Sequence, residues 1–190
     1  MAPPENRYAA RAGQLRLLVV GGSLGAQVLN TVVPEALALL APEARLRVTH
    51  QAGAAHCQAV RVRYQAHGVD ATVVPFIDDM AARYAETDLI VCRAGATTVA
   101  EIAAAGIASI LVPYPHSMDD HQTINARFLA DRGAALLVPQ RELSAQRLAE
   151  VLSGFTRERL LAMAQSARAA GRPGATQAVA QACMELAGAT

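Results

Sequence analysis

The sequence predicts a doubly wound α/β domain built on a mostly parallel sheet of about six strands. Three observations carry that expectation. Short runs rich in Leu, Ile and Val recur along the chain, stretches with helical spacing separate them, and glycines stand where those helices should stop.

The strand-like runs are 15–20 (LRLLVV), 46–50 (LRVTH), 71–75 (ATVVP), 88–92 (DLIVC), 109–113 (SILVP) and 135–139 (ALLVP). Several are unbroken in apolar residues, as strands covered on both faces should be. Helices are expected near 25–40, 54–67, 79–86, 97–105 and 121–132, with Gly68, Gly106 and Gly133 ending the second, fourth and fifth. Asp78 is the expected N-cap of the 79–86 helix, and Asp119 or Asp120 that of the 121–132 helix. Strands alternating with helices in this way give a Rossmann-like sheet. Residues 144–187 hold three helical segments without a strand, broken at 153–154 and 171–174, and Val179, Cys183 and Leu186 form an apolar stripe on the last. The first 14 residues (MAPPENRYAARAGQ) are polar, Pro-bearing and aperiodic, which predicts a linker with neither strand nor helix. The domain proper is expected over 15–190.

Composition removes several function classes. At 190 residues, 53% apolar and 17% charged, the chain can bury a substantial single core and is not intrinsically disordered. Its 17 basic and 16 acidic residues leave a net charge of +1 without a basic cluster, so no nucleic-acid partner is expected. Every basic residue is Arg. The lack of Lys excludes a Walker A loop, a Schiff-base enzyme and a Lys-dependent kinase. Cys57, Cys92 and Cys183 are odd in number and far apart, which fits neither a disulfide framework nor a thiolate metal site and points to a reducing, cytoplasmic setting. No apolar run approaches a membrane span, and the start lacks a signal core.

Ligands of such sheets bind beyond the carboxyl ends of the strands, so the loops there are the places to seek chemistry. The first is Gly21-Gly22-Ser23-Leu24-Gly25-Ala26, between the first strand and its helix. Glycines let a phosphate approach the backbone, the helix N-terminus attracts an anion, and Ser23 adds a hydroxyl donor. A tight turn without a ligand is the plain alternative. A dinucleotide fingerprint would need glycine where Ser23 stands and an acidic residue after the second strand. The literal G-x-S-x-G match also allows a Ser hydrolase through Ser23, although a nucleophile elbow belongs to a later strand.

The second loop, Cys92-Arg93-Ala94-Gly95-Ala96-Thr97-Thr98-Val99-Ala100-Glu101, turns at Gly95 and opens a helix. Ala96 and Thr97 offer backbone donors, and Thr97 and Glu101 share a helix face. Phosphate and ribose would suit these groups, while a carboxylate near a helix N-terminus is also favourable on structural grounds alone. The third, from Pro113 to Asn125, leaves the fifth strand stiffly through two prolines and clusters His121, Gln122 and Asn125 in the next helix. Amides and imidazole at such a rim can read sugar hydroxyls, or simply face solvent. The backbone at Phe76 and Ile77 could pair with a planar base. Neither Asp78-Asp79 nor Asp119-Asp120 converges on a cation, and His50, His56, His116 and His121 lack zinc spacing, so no metal is expected.

Taken in order, GGSLGA, HQAG, PFIDDM, CRAGATTVAEIAAAG, VPYPHSMDDHQTINA and MAQSARAAGRPGAT resemble the C-terminal half of the MurG family. These are the bacterial N-acetylglucosaminyltransferases that convert lipid I to lipid II in peptidoglycan synthesis. The resemblance runs from about Leu15 to the end. It implies the C-terminal domain of a GT-B glycosyltransferase, binding the donor UDP-N-acetylglucosamine (UDP-GlcNAc) as a substrate and needing no cofactor. Carried over residue by residue, it places Ser23 on the diphosphate and the Ile77 backbone on uracil. Ala96, Thr97, Thr98, Val99, Ala100 and Glu101 wrap the donor, with Glu101 on the ribose, and Gln122, Asn125 and His121 face the sugar. Some relatives have two glutamines where this chain has His121-Gln122. Gly22, Gly25, Phe76, Arg93 and Gly95 are supporting positions, Arg93 through the loop. The family's acceptor-lipid surface and general base belong to an N-terminal domain, so residues 1–14 are expected to be the tail of an interdomain connection. The lipid-linked muramoylpentapeptide and the cytoplasmic face of the inner membrane would be met through that domain. The chain alone is expected to lack turnover. A non-catalytic nucleotide-sugar-binding module and a transferase for another UDP-sugar are the alternatives.

Overall fold

Six parallel strands form one sheet in the order β3-β2-β1-β4-β5-β6. They are β1 (Arg16–Val20), β2 (Arg47–Gln51), β3 (Ala71–Val74), β4 (Leu89–Cys92), β5 (Ala108–Leu111) and β6 (Ala135–Leu137). The structure is a computed structural model that describes residues 1–22 and 25–188. The sequence-predicted doubly wound arrangement is present, and its strand order reverses between β1 and β4, where such sheets open a ligand crevice. Between the strands run α2 (Gln27–Ala38), α3 (Cys57–Ala66), α4 (Met80–Glu86), α5 (Ala96–Ala105) and α6 (His121–Ala130). Three further helices close the chain: α7 (Ala145–Ser153), α8 (Arg157–Ala170) and α9 (Ala175–Gly188).

Alternation along the central strands divides the core into two layers, because successive side chains point to opposite faces. Leu17, Val19, Leu89, Val91 and Ile110 pack with α2, α3, α7 and α8 on one side. Leu18, Ile90, Cys92 and Leu111 pack with α4, α5 and α6 on the other. A buried Leu→Ala change in either layer would cost about 2–5 kcal/mol. Local signals set the helix ends. Ser144 and Thr156 accept from the third residue beyond them, Arg147 N at 3.1 Å and Arg159 N at 3.2 Å. Gly106 ends α5 at φ 65°, a left-handed conformation that glycine adopts without a Cβ penalty.

Three expectations need correction. Residues 4–9 are helical: α1 (Pro4–Ala9) begins on a proline, and its Arg7 and Tyr8 are buried. Six residues are too few to show helical periodicity, and long-range contacts hold this helix in place. The Tyr8 hydroxyl donates to Asp88 O at 2.6 Å, and Arg7 donates to Tyr84 O at 3.1 Å and Ala105 O at 2.9 Å. Asp79, not Asp78, caps α4, accepting from Ala82 N at 2.9 Å. That helix starts at Met80, so the capping oxygen comes from the second aspartate. Asp120 precedes α6 at φ 52° but caps no backbone amide with its side chain; it accepts from Thr123 Oγ1 at 2.7 Å instead. The expected apolar stripe on α9 is present, and it is exposed, with Val179 at 64% and Leu186 at 77%.

Candidate functional site

The loops at the carboxyl ends of β1, β3, β4 and β5 converge on the switch point, and each is fixed by side chains from a neighbouring loop. After β1, Gly21 N donates to Gln51 O at 3.2 Å, and Gly25 N returns to Gly22 O at 2.9 Å. The Gln51 side chain clamps this turn: its oxygen accepts from Gly22 N at 3.0 Å, and its NH2 donates to Gly22 O at 2.8 Å and Pro75 O at 3.1 Å. One amide thereby joins the exits of β1, β2 and β3. Gly25 sits at φ +76°, and a Cβ there would lie 2.2 Å from Ala52 O, so only glycine fits. Ser23 and Leu24 lie outside the described residues.

Behind the clamp is a neutral polar network. His50 contacts the Tyr64 hydroxyl at 2.9 Å and Asn30 Oδ1 at 3.0 Å, and Asn30 donates to Ala52 O at 3.1 Å. Full burial lowers the His50 pKa to about 4, so it is an uncharged core histidine, one of the readings its spacing left open. Asn30 on α2 thus reaches the loop after β2 that Gly25 abuts.

After β4, Gly95 is the N-cap of α5 and supplies no capping side chain. The first helical bond runs from Val99 N to Gly95 O at 2.9 Å. The amides of Ala96, Thr97 and Thr98 therefore have no intrahelical acceptor and form the positive end of the helix dipole. Ala96, Thr97, Ala100 and Glu101 are exposed, whereas the Val99 side chain is buried in the core and anchors the helix. Glu101 Oε2 accepts from the Tyr84 hydroxyl of α4 at 2.9 Å. Burial pushes the Cys92 thiol up to about 12, which leaves the loop without a reactive thiolate.

Arg93 fastens this loop to the next two. It donates to the carbonyls of Val112 and Pro113, each at 3.2 Å, and to Gln140 Oε1 at 2.7 Å, with the Tyr114 ring 5.3 Å from the guanidinium. Gln122 and Asn125 are brought together on α6, and both reach the β4 loop: Gln122 Oε1 accepts from Ala94 N at 3.2 Å and Tyr114 N at 3.0 Å, and Asn125 donates to Ala94 O at 3.1 Å. His121 is exposed in the first turn. Past β3, Phe76 is exposed and Ile77 buried, and the two backbones make no hydrogen bond among the described residues.

A recess of about 340 Å³ lies between these loops, lined by Gly21, Gly25, Ala26, Arg93, Tyr114, Gln122 and Gln140 among others. A second recess of about 380 Å³, lined by Arg16, Arg47, Thr49, Thr72 and Arg83 among others, lies where the amino ends of β1 and β2 meet α4, remote from the loop cluster. Among the described residues no three His, Cys, Asp or Glu side chains are grouped to hold a metal ion, and no helix is long and apolar enough to cross a membrane. What the loop cluster offers is a set of backbone donors at a helix N-terminus, a carboxylate one turn along, and unpaired backbone at the β3 exit. Sequence reasoning passed over Gln51, Tyr84 and Gln140. Gln51 carried one usable signal, its place at the end of a strand just before Ala52-Gly53.

Residues 16–182 match the model of the glycosyltransferase family 28 C-terminal domain. A UDP-N-acetylglucosamine–N-acetylmuramyl-(pentapeptide) pyrophosphoryl-undecaprenol N-acetylglucosamine transferase of Aromatoleum aromaticum is 60% identical over 187 residues, which is 98% of this chain and 52% of that protein. Its namesake from Burkholderia mallei is 59% identical over 191 aligned positions, with the same coverage. The crystal structure of Acinetobacter baumannii MurG superposes with a TM-score of 0.90 at 41% identity, covering 97% of this chain and 53% of that one. The chain thus spans about half the length of the curated relatives it matches.

Proposed function

The chain belongs to the family of glycosyltransferase family 28 C-terminal domains, and on that premise we propose that it is the donor-binding half of an inverting transferase. In this reading N-acetylglucosamine passes from UDP-GlcNAc to the lipid-linked muramoylpentapeptide, turning lipid I into lipid II. The carrying observation is the 60% identity, over 98% of the chain, to a transferase whose name states the sugar, the nucleotide and the acceptor. The loop cluster supports it, because its groups suit each part of a uridine diphosphate sugar.

The amides of Ala96, Thr97 and Thr98 and the glycine turn at Gly22 and Gly25, with Ser23, receive the diphosphate. The Ile77 backbone pairs with uracil beside Phe76, and Glu101 accepts the ribose hydroxyls. The NH2 of Gln122, together with Asn125 and His121, faces the sugar. Val99 and Gly95 set the helix that presents these groups. During transfer the acceptor hydroxyl bonds to the anomeric carbon, the bond from that carbon to the UDP oxygen breaks, and negative charge grows on the departing UDP. Preorganised amides stabilise that charge, so neither metal nor cofactor is needed in this half. The acceptor, the base that takes its proton and the contact with the cytoplasmic membrane face lie in the part of the relatives that this chain does not span. Residues 1–14 connect to that part.

Calorimetry with UDP-GlcNAc in the presence of EDTA tests the donor reading: saturable binding is expected, and no heat at millimolar ligand contradicts it. A lipid I analogue should turn over only when the acceptor half is co-expressed; turnover by this chain alone contradicts the division of labour. A fluorophosphonate probe should leave Ser23 unlabelled, and labelling would favour the Ser hydrolase instead.

A further inference from the structure

We propose that Tyr84 is a positioning residue for the donor's ribose, and that the Tyr84–Glu101 pair makes the site select a ribonucleotide over its 2′-deoxy counterpart. The inference rests on the reading of Glu101 as the ribose acceptor and adds the group that makes that acceptor specific.

Glu101 stands on the outer face of α5, where a glutamate would ordinarily sample several rotamers. Here the Tyr84 hydroxyl donates to its Oε2 at 2.9 Å. Tyr84 is itself held firmly. The residue is 4% exposed, its ring packs in the cluster that contains Ile77, Val99 and Ile102, and its carbonyl accepts from Arg7 at 3.1 Å. The bond therefore joins a buried, rigid donor to a carboxylate on an exposed helix face. It also links α4, which begins just past the Phe76–Ile77 backbone, to α5, whose first amides face the diphosphate. Burial, and then the bond to Glu101, raise the Tyr84 pKa, so the phenol keeps its proton and acts as a donor.

The stoichiometry of the carboxylate agrees. An ionised carboxylate has about four acceptor positions on two oxygens. Tyr84 occupies one on Oε2, leaving enough for two adjacent ribose hydroxyls. A site built to accept from a hydroxyl discriminates against the analogue that lacks it, because its polar group is then left without that partner. A fixed carboxylate sharpens the discrimination, since it cannot swing toward water when the 2′-hydroxyl is gone.

The test is calorimetry with UDP and 2′-deoxy-UDP on the wild-type chain, Tyr84→Phe and Glu101→Ala. Tyr84→Phe keeps the buried ring and removes only the hydroxyl, so the fold is retained; thermal midpoints check this. We expect wild type to bind UDP about tenfold more tightly than 2′-deoxy-UDP, and Tyr84→Phe to lose about fivefold in UDP affinity while its 2′-deoxy-UDP affinity stays within about twofold. A purely structural tyrosine would weaken both ligands equally, and that result overturns the inference, as does an unchanged UDP affinity. If Glu101→Ala leaves the ratio of the two affinities intact, the ribose reading of Glu101 fails. If Glu101→Ala collapses the ratio and Tyr84→Phe does not, only the role of Tyr84 fails.

Discussion

At the amino end of the sheet the Asp88 carboxylate is fully buried and fully compensated. Arg11 pairs with Oδ1, Arg157 with Oδ2 at 3.3 Å, and Arg16 N donates to Oδ2 at 2.8 Å. At the carboxyl end the arrangement is reversed. There α2 and α5 begin at Ala26 and Gly95 without a capping side chain, and the side chains of Gln51, Arg93, Gln122 and Asn125 bind loop backbone while the helix amides stay open. Relative to a capping side chain, alanine at the N-cap costs a helix about 0.5–2 kcal/mol and glycine only about a few tenths. One end is thus closed by ion pairs, and the other leaves the first helix amides without an intrahelical acceptor.

The largest effect expected from breaking this contrast is that of Asp88→Ala. It leaves Arg11 and Arg157 partly buried without their carboxylate, and urea unfolding should show a loss of about 3–5 kcal/mol. The UDP affinity of the folded fraction should not change; a fall in affinity at full stability would show that the two ends are not separable.

The next effect concerns the scaffold beneath the glycine turn. His50 has a pKa of about 4 in the fold against 6.5 ordinarily. Between those values the unfolded chain binds a proton that the folded chain does not, so stability falls as pH drops from about 6.5 to 4 and is restored above that window. The loss should approach about 3 kcal/mol. His50→Gln should flatten this limb of a urea-midpoint profile against pH; an unaltered limb would assign it to other groups.

Glu101→Ala sharpens the contrast from the opposite side. It should cost about 1–3 kcal/mol of UDP binding by calorimetry and lower the free energy of unfolding by about 1 kcal/mol, because the Tyr84 hydroxyl loses its acceptor. Gln51→Ala should give the smallest change, about 1 kcal/mol in stability, with a several-fold loss of UDP affinity because the glycine turn is no longer clamped. Equal affinity in that variant would show that the turn needs no support.

Most of the sheet was legible in the sequence, because strands buried on both faces are unbroken runs such as LIVC in β4 and SILV at β5. Glycine stops placed the ends of α3, α5 and α6 to within a few residues. The positions of the glycine turn and of the α5 N-terminus were legible because each closely follows a strand. Contacts between loops were not. Tyr84 meets Glu101 across 17 residues, Arg93 reaches Gln140 across 47, and Arg7 reaches Tyr84 across 77. No periodicity reports such pairs. For the same reason α1 escaped notice, since its order comes from partners far along the chain. The capping aspartate of α4 was misplaced by one residue, as two neighbouring aspartates look alike until the helix start is fixed.

The proposed function requires that open backbone amides at the start of α5, without a cation, hold the diphosphate at the carboxyl end of the sheet. An amide NMR titration with UDP in EDTA tests it most directly. Saturable shifts are expected at Ala96, Thr97 and Thr98, and smaller ones at the clamped turn of Gly22 and Gly25, with Arg16 and Asp88 unmoved. Shifts confined to the amino end, or binding that appears only when magnesium is added, would contradict it.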